Sequence, residues 1–186
     1  GTVGTREILF DKDQLILTVP CETGLKVVLL NAATGEVVWT SAEEYKGTSK
    51  ETGKLKIDKQ AVLNTAADDD SVCFMDGDEV VCLDRATGAA RWRAKPEAKG
   101  PGLWAGTLIL SDGVVLYAEQ GKLTALSAKD GTRLWVREAN QPGGLWFSWK
   151  DVYVIDDLVW TWGPTTGRLV SEAHGHDLRT GEVKQR

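Results

Sequence analysis

The sequence lacks the features that mark a membrane span or a nucleic-acid surface. Its mainly apolar runs, such as Leu25–Leu30 and Thr107–Leu110, are far shorter than the roughly 20 residues that cross a bilayer as a helix. Lys and Arg number 22 against 27 Asp and Glu, for a net charge of −5, so no basic excess is present to neutralise phosphates. We therefore expect no nucleic-acid partner and no membrane insertion.

Cysteine and methionine are also scarce. The three cysteines form no Cys-x-x-Cys pair and the two histidines are not near a cysteine, which excludes a disulfide-rich mini-protein and gives no sign of a zinc module. The sequence begins at Gly1 and its one methionine is Met75. We therefore expect an N-terminus that has been processed or excised, with any signal peptide already lost.

Glycine and tryptophan are abundant by contrast, with 20 and 8 residues. Large flat side chains together with many turn residues are typical of repeated β structure. Four segments align in register over eleven positions, at residues 29–39, 82–92, 125–135 and 175–185. The glycines they share are 53, 43 and 50 residues apart, which is close to the length of one four-stranded propeller blade.

Each repeat divides into four short apolar stretches separated by Asp, Asn or Gly, residues that tolerate a positive φ in tight hairpins. No stretch has a sustained 3.6-residue apolar period, so we expect almost no helix. The pattern predicts an all-β fold, a single β-propeller segment over residues 1–186 built from four-stranded antiparallel blades. The predicted blades span about 5–42, 58–96, 102–139 and 143–186.

Some details of this segment can also be predicted. The first strand of the second blade is expected at residues 60–65. The polar stretch at residues 41–56 is expected to be a surface loop, and residues 163–175 an insertion in the fourth blade.

The repeated unit is an Asp or Asn, a Thr-Gly pair, and a Trp four residues after the glycine. This unit resembles the tryptophan-docking motif of the PQQ-like (pyrroloquinoline quinone) repeat family of bacterial β-propellers. The resemblance implies that the indoles pack between blades as scaffold and that the glycines take a positive φ. The fourth repeat departs from the motif, with Gln185 at the tryptophan position. The structural motif comprises Trp39, Trp92, Trp135, Gly35, Gly88, Gly131 and Gly181.

Propellers of this family typically have seven or eight blades, so four blades imply part of a larger propeller. The missing blades, or a second copy of the chain, would then complete the ring, because an open arc would leave apolar blade faces in water. A four-bladed ring is the other way to close it.

Family members that oxidise alcohols or sugars hold PQQ over a tryptophan, commonly below a disulfide between adjacent cysteines, with a calcium ion and an acidic base. This chain has no Cys-Cys dipeptide, and no Asp or Glu cluster can be assigned to that calcium site. We therefore expect no catalytic residue and no cofactor within the chain.

The function expected from the resemblance is a scaffold or a binding surface for a protein or small-molecule ligand, as in the propellers of outer-membrane assembly lipoproteins. The alternative is part of a PQQ- and calcium-dependent quinoprotein dehydrogenase, with catalytic residues mostly outside this chain. The resemblance implies a periplasmic or secreted location.

Aromatic residues are concentrated in the fourth repeat. Trp160 and Trp162 alternate along one predicted strand and so share a face, and Trp149 lies in the same repeat. They predict an aromatic platform for a sugar ring or a peptide. The competing interpretation is packing in the core or between blades.

Two pairs of residues are candidates for metal or redox chemistry. His174 and His176 have the spacing of a metal site with neutral imidazoles, and the competing interpretation is a loop with incidental histidines. Cys73 and Cys82 flank the hairpin at Asp76-Gly77 and fall on the same face of the paired strands. They could form a cross-strand disulfide or remain two buried thiols.

Overall fold

The computed structural model of the chain describes residues 7–47, 62–96, 107–119, 122–138, 152–162 and 172–186. Over these ranges the chain forms sixteen β-strands and no helix. The strands form four sheets of four, and in each sheet every strand pairs antiparallel with its neighbour in the sequence. These sheets confirm the predicted all-β fold of four-stranded antiparallel blades, about four in this chain.

The strands are short, as expected for propeller blades. The first sheet contains β1 (Glu7–Asp11), β2 (Gln14–Pro20), β3 (Leu25–Asn31) and β4 (Val37–Thr40). The second contains β5 (Ala66–Ala67), β6 (Ser71–Asp76), β7 (Glu79–Asp84) and β8 (Ala90–Ala94). The third contains β9 (Thr107–Ser111), β10 (Val114–Glu119), β11 (Lys122–Ser127) and β12 (Arg133–Glu138). The fourth contains β13 (Tyr153–Ile155), β14 (Leu158–Trp162), β15 (Ala173–Asp177) and β16 (Val183–Gln185).

The chain divides into two compact units, Gly1–Ala94 and Lys95–Arg186, with two sheets in each. In the first unit, one face of the first sheet packs against the second sheet around buried residues such as Val27, Leu29 and Phe74. In the second unit, Leu116 and Leu123 of the third sheet pack with Val159 of the fourth. Each core therefore lies between two sheets, which is the packing that alternate apolar residues along a strand allow.

The same turn joins the third and fourth strands of every sheet. In each turn the glycine has a φ between 68° and 74°, and its amide donates to the carbonyl oxygen four residues earlier at 2.8 Å. In three sheets the first residue of the turn, Asn31, Asp84 or Asp177, also accepts the backbone N–H three residues later, at 2.8 to 3.0 Å. A side chain that bonds its own turn and a glycine free of Cβ strain together fix this geometry.

The prediction of a strand at residues 60–65 is wrong for its described part. Within residues 62–65 the chain makes only an isolated bridge, and the first strand of this sheet is the short β5. The physical reason is long-range: the Glu7 carboxylate of the first sheet accepts the backbone N–H groups of Leu63 and Asn64 at 2.8 and 2.9 Å. Asn64 also takes a φ of 53°, which a continuing strand does not allow.

The predicted surface loop at residues 41–56 is described up to residue 47; no strand forms there and Ala42, Glu43, Glu44 and Lys46 are exposed, but Tyr45 is not. Tyr45 is only 1% exposed, and its backbone N–H and C=O both pair with Leu25 at 2.8 Å. Its ring meets that of Phe74 edge-on, with centroids 4.6 Å apart, and the Arg93 guanidinium lies 5.5 Å from the ring centroid. Tyr45 therefore belongs to the core of the first unit.

Because Tyr45 is buried, the stability of the first unit should fall at alkaline pH. Burial, with a smaller effect of the Glu43 charge, raises the pKa of Tyr45 to about 12, against about 10 in an unfolded chain. The unfolded state therefore loses this proton first, and the contribution to stability falls as pH rises from about 10 to about 12. We expect the free energy of unfolding of wild type to fall by about 2 kcal/mol more than that of Tyr45→Phe over this interval, as measured by urea unfolding.

Tyr153→Phe is the matched control, because Tyr153 is 60% exposed and its loss should leave the wild-type difference unchanged. Equal pH dependence in wild type and Tyr45→Phe would show that the Tyr45 hydroxyl is not desolvated in the folded state.

Candidate functional site

Trp39 connects the first sheet to the second. Its indole Nε1 donates a hydrogen bond to the carbonyl oxygen of Arg85 at 2.8 Å. The ring lies directly against Gly88, where an added Cβ would be 2.7 Å from two ring carbons. Only glycine leaves room for the indole at this point, and the hydrogen bond satisfies the one polar atom that the buried ring carries.

Trp135 makes the same contact between the third sheet and the fourth. Its Nε1 donates to the carbonyl oxygen of Leu178 at 2.9 Å, and a Cβ on Gly181 would be 2.6 Å from the ring. In both pairs the accepting carbonyl belongs to the residue three positions before the glycine. The second and fourth sheets thus each offer a cradle, formed by the turn glycine and this carbonyl, that holds the indole of the preceding sheet.

The first sheet has the same turn, on which no indole of the described residues lies. Gly35 has a φ of 74°, yet among the described residues no atom lies within 4 Å of a Cβ built there. We call this surface the Gly35 cradle. Gly131 has the same positive φ, and Trp92 is half-buried on β8 opposite Cys82. Trp92 and Gly131 belong to different units.

One face of the first sheet is apolar and exposed. Ile8 and Phe10 on β1 are 67% and 62% exposed. The strand register aligns them with Leu17 and Leu15 of β2, which are half-buried and share that face. We call this surface the free face of the first sheet; the opposite face is the core against the second sheet. Large apolar side chains grouped on one side of a sheet mark a surface that binds another protein element.

A buried arginine supports the carbonyl that binds Trp39. Arg85 is 5% exposed; its Nη1 lies 2.5 Å from both a carboxylate oxygen of Asp11 and the carbonyl oxygen of Asp68, and its Nε donates to Gln14 at 3.0 Å. Sequence reasoning missed this residue. The signal was available: the equivalent positions in the other three repeats hold Ala32, Ala128 and Leu178, so a charged residue in this position is the exception.

The fourth sheet also has an aromatic face. Trp160 lies over Gly175, where an added Cβ would be 3.2 Å from the ring, and pairs in register with Tyr153 on its other side. Trp162 shares this face by alternation, and both tryptophans are half-buried, whereas Tyr153 and Ile155 are exposed. Trp149, the third predicted member of the platform, lies outside the described residues.

His174 and His176 lie on a strand, so the predictions of a loop with histidines and of an insertion extending to residue 175 are wrong. Both are buried in β15, with ring centroids 6.0 Å apart. His174 Nε2 lies 2.8 Å from the Glu172 carboxylate, and His176 Nδ1 lies 3.2 Å from the carbonyl oxygen of Gly181. Burial lowers the pKa of His176. No group of three or more His, Cys, Asp or Glu placed to share a metal ion occurs in the described part of the chain.

Cys73 and Cys82 face each other across the β6–β7 hairpin of the second sheet. They are direct partners in the register, both are fully buried, and their Sγ atoms are 2.8 Å apart. Neither forms a disulfide, and the same holds for the half-buried Cys21. Alternation along the strands places the pair on the face of the sheet opposite Phe74, away from the first sheet.

The cysteines and carboxylates of the described residues are arranged differently from the PQQ and calcium site that the family resemblance implies. The disulfide expected there joins adjacent cysteines, whereas Cys73 and Cys82 are nine positions apart on paired strands. The carboxylates needed for calcium are not gathered in the described ranges, where no group of three metal-ligating side chains occurs.

Four antiparallel four-stranded sheets, with an indole of one sheet docked on a turn glycine of the next in each unit, define a segment of a PQQ-like repeat β-propeller. A family model described as "Outer membrane protein assembly factor BamB" matches residues 24–184. The chain belongs to this family. No curated protein sequence matches the chain.

Solved structures share the fold at low sequence identity. BamB from Moraxella catarrhalis is 19% identical with a TM-score of 0.56, over 92% of this chain and 45% of that one. The quinohemoprotein alcohol dehydrogenase from Comamonas testosteroni is 16% identical with a TM-score of 0.66, over 99% of this chain and 35% of that one. A europium-containing methanol dehydrogenase is 14% identical with a TM-score of 0.63, over 97% and 41%. This chain spans less than half the length of each.

In its described part, no helix has the length and apolar character to cross a membrane.

The glycine turns provide a direct comparison between an occupied cradle and an open one. Gly88→Ala and Gly35→Ala both place a Cβ at a positive φ, which costs about 1 to 2 kcal/mol. Gly88→Ala also forces the Trp39 indole to move, because its Cβ would lie 2.7 Å from the ring. We expect urea unfolding to give a loss for Gly88→Ala that exceeds that of Gly35→Ala by about 2 kcal/mol.

Gly181→Ala, which meets Trp135 at 2.6 Å, should behave like Gly88→Ala. If all three variants lost the same stability, backbone strain alone would account for the effect and the indole contact would contribute nothing.

Proposed function

We propose that the chain is a scaffold segment of a β-propeller whose free sheet faces bind further propeller blades, those of a second copy when the chain is alone. The observation that carries the proposal is the free face of the first sheet, where Ile8 and Phe10 are mostly exposed. The corresponding face of the second sheet is fully covered, with Val72, Phe74 and Val81 buried against the first sheet. A blade placed on the first sheet would bury its apolar side chains in the same way.

The fourth sheet offers a complementary surface. Its outward face carries the exposed Tyr153 and Ile155 beside the half-buried Trp160 and Trp162. This is the side on which the third sheet carries Trp135, at the position that Gln185 occupies in the fourth. The face is therefore of the type that packs on the next blade, and a second copy can present it to the free face of the first sheet.

Gln185 also predicts how strong this association is. A second copy covers the apolar face but brings no indole to the Gly35 cradle, because its fourth repeat has glutamine where the others have tryptophan. The contact therefore lacks the aromatic burial that joins sheets inside each unit. We infer an association that depends on concentration, weaker than the packing within a unit.

The family supports a protein partner and a location. Its description names an assembly factor, which is consistent with a role in holding other proteins. The matched propellers are about two to three times as long as this chain, so the blades that a complete ring requires could come from a second copy or from further sequence of the same protein. We propose a periplasmic or secreted location on the family resemblance alone.

Light scattering at several protein concentrations tests the proposal. The chain has a mass of 20.3 kDa, and we expect the measured mass to rise with concentration toward about 41 kDa, that of a pair. Phe10→Asp places a charge in the centre of the free face and should hold the mass at that of one chain. Leu134→Asp is the matched control, since Leu134 is an exposed apolar residue of the third sheet, and it should associate like wild type.

A single-chain mass for wild type at every concentration would contradict association through these faces. So would a Phe10→Asp variant that folds and still forms pairs.

A second candidate function is recognition of a carbohydrate by the aromatic face of the fourth sheet. The observation that favours it is the exposed Tyr153 beside Trp160 and Trp162 on one face, over the small Gly175. Flat rings exposed side by side can stack on the apolar face of a sugar. Sugar binding and the pairing of two copies use the same surface of the fourth sheet. A sugar and a second copy therefore cannot bind to it at the same time.

Tryptophan fluorescence with maltohexaose as the probe separates the two functions. If the face binds sugar, the probe quenches wild-type fluorescence, and Trp162→Ala weakens binding about tenfold or more with an unchanged unfolding midpoint; Trp160→Ala is the parallel variant. Tyr153→Asp is a further variant, which removes the exposed aromatic ring at the edge of the platform. Quenching that persists in Trp162→Ala would exclude this face as the binding site.

A further inference from the structure

Cys73 and Cys82 occupy a position in the hairpin that brings two strands close together. Asp76 and Glu79 pair across a two-residue loop, with Gly77 at a φ of 66°, which is the geometry of a turn with glycine at its first central position. The residues that flank such a loop form a hydrogen-bonded pair. Alternation along the ladder then makes Cys73 and Cys82, three steps away, a non-hydrogen-bonded pair with closely spaced Cα atoms, about 4.5 Å apart.

This spacing is compatible with a covalent bond. A disulfide requires Cα atoms about 4.4 to 6.8 Å apart, and the non-hydrogen-bonded pair meets that range at its lower end. The two Sγ atoms are 2.8 Å apart without a disulfide, against about 2.05 Å when bonded. A shift of less than about 1 Å, within the reach of small χ1 changes, would close the bond.

The surroundings distinguish the two sulfurs. The hydrogen bond between the sulfurs, together with burial, raises the pKa of the Cys73 thiol. The hydrogen bond with Cys73 and a second one with Ser71 lower the pKa of Cys82, while the Arg91 charge acts in this direction on both sulfurs. Arg91 is held in place by Ser71 at 3.1 Å and by Asp84 at 2.6 Å. Cys82 is therefore the sulfur better suited to begin an exchange reaction, because the thiolate is the nucleophile.

We propose that Cys73 and Cys82 form a redox-active pair that becomes a cross-strand disulfide by exchange with a small disulfide oxidant. The Cys82 thiolate attacks the oxidant, breaks its S–S bond and releases one thiolate. Cys73 then gives up its proton and attacks the mixed disulfide, forming the Cys73–Cys82 bond and releasing the second thiolate. Two protein thiols are oxidised and one oxidant disulfide is reduced to two thiols.

The bond would act on the platform that holds Trp39. Strands β6 and β7 carry Phe74 and Val81 into the core of the first unit, and β7 leads directly into the turn with Gly88. A covalent link between the two central strands would fix the base of that turn. Both sulfurs are fully buried, so exchange takes place during folding or through opening of the second sheet, and burial then shields the bond from reductants.

The position of the one methionine allows a direct test. Met75 lies between Cys73 and Cys82, so cyanogen bromide cuts the chain into residues 1–75 and 76–186, which stay joined only if a disulfide crosses the cut. The full chain is refolded with oxidised glutathione, its remaining thiols are blocked with iodoacetamide, and the fragments are separated on gels with and without reductant. We expect one band without reductant and two bands with it, and blocking of one cysteine instead of three.

Cys21→Ser is the main control, because a bond from Cys21 to Cys82 would also cross the cut; the fragments should remain joined in this variant. Cys82→Ser should give two bands in both lanes. Because Cys82→Ser replaces a buried residue and could fail to fold, Cys21→Ser carries the test. Two bands from oxidised Cys21→Ser without reductant, or glutathione retained on Cys82 in place of the Cys73–Cys82 bond, would overturn the proposal.

Discussion

The contact between an indole and a turn glycine is the interaction on which the rest of each unit depends. Two requirements meet in it: the turn must reverse the chain with a positive φ, and the approaching ring must find no Cβ in its path. Gly88 and Gly181 meet both, and the carbonyl oxygens of Arg85 and Leu178 accept the indole N–H groups that would otherwise be buried without a partner. The contact therefore joins two sheets and sets their relative position within the unit.

This dependence explains why neighbouring sheets differ in burial. The second sheet receives Trp39, and Phe74 and Val81 on its face toward the first sheet are fully buried. The first sheet supplies an indole but receives none at Gly35 from the described residues, and its β1 leaves Ile8 and Phe10 exposed. An apolar face is therefore buried where the indole contact brings a neighbour onto it.

The features that could be predicted from the sequence are those fixed by near neighbours in the chain. Glycine spacing and alternating apolar residues predicted four sheets, because a hairpin and its turn are built from residues within about ten positions of each other. The strand expected at residues 60–65 failed for the opposite reason: Glu7, more than fifty positions away, binds the backbone there. Tyr45 was missed likewise, since only its contacts with Leu25 and Phe74 make it core.

The candidate sites follow the same division. Alternation placed Cys73 and Cys82 on one face of the second sheet, and Trp160 and Trp162 on one face of the fourth. It carries no information about which face of a sheet is covered. An apolar stripe has the same pattern whether it packs on a neighbouring sheet or remains free, so Phe10 and Phe74 look alike in sequence and differ completely in exposure. The one sequence signal for an uncovered sheet face is an interruption of the repeat, such as Gln185 in the fourth sheet, where the other repeats have tryptophan. An unbroken repeat buries its apolar surface between its own sheets. The positions where the repeat is broken are therefore the best candidates for a binding function in this segment.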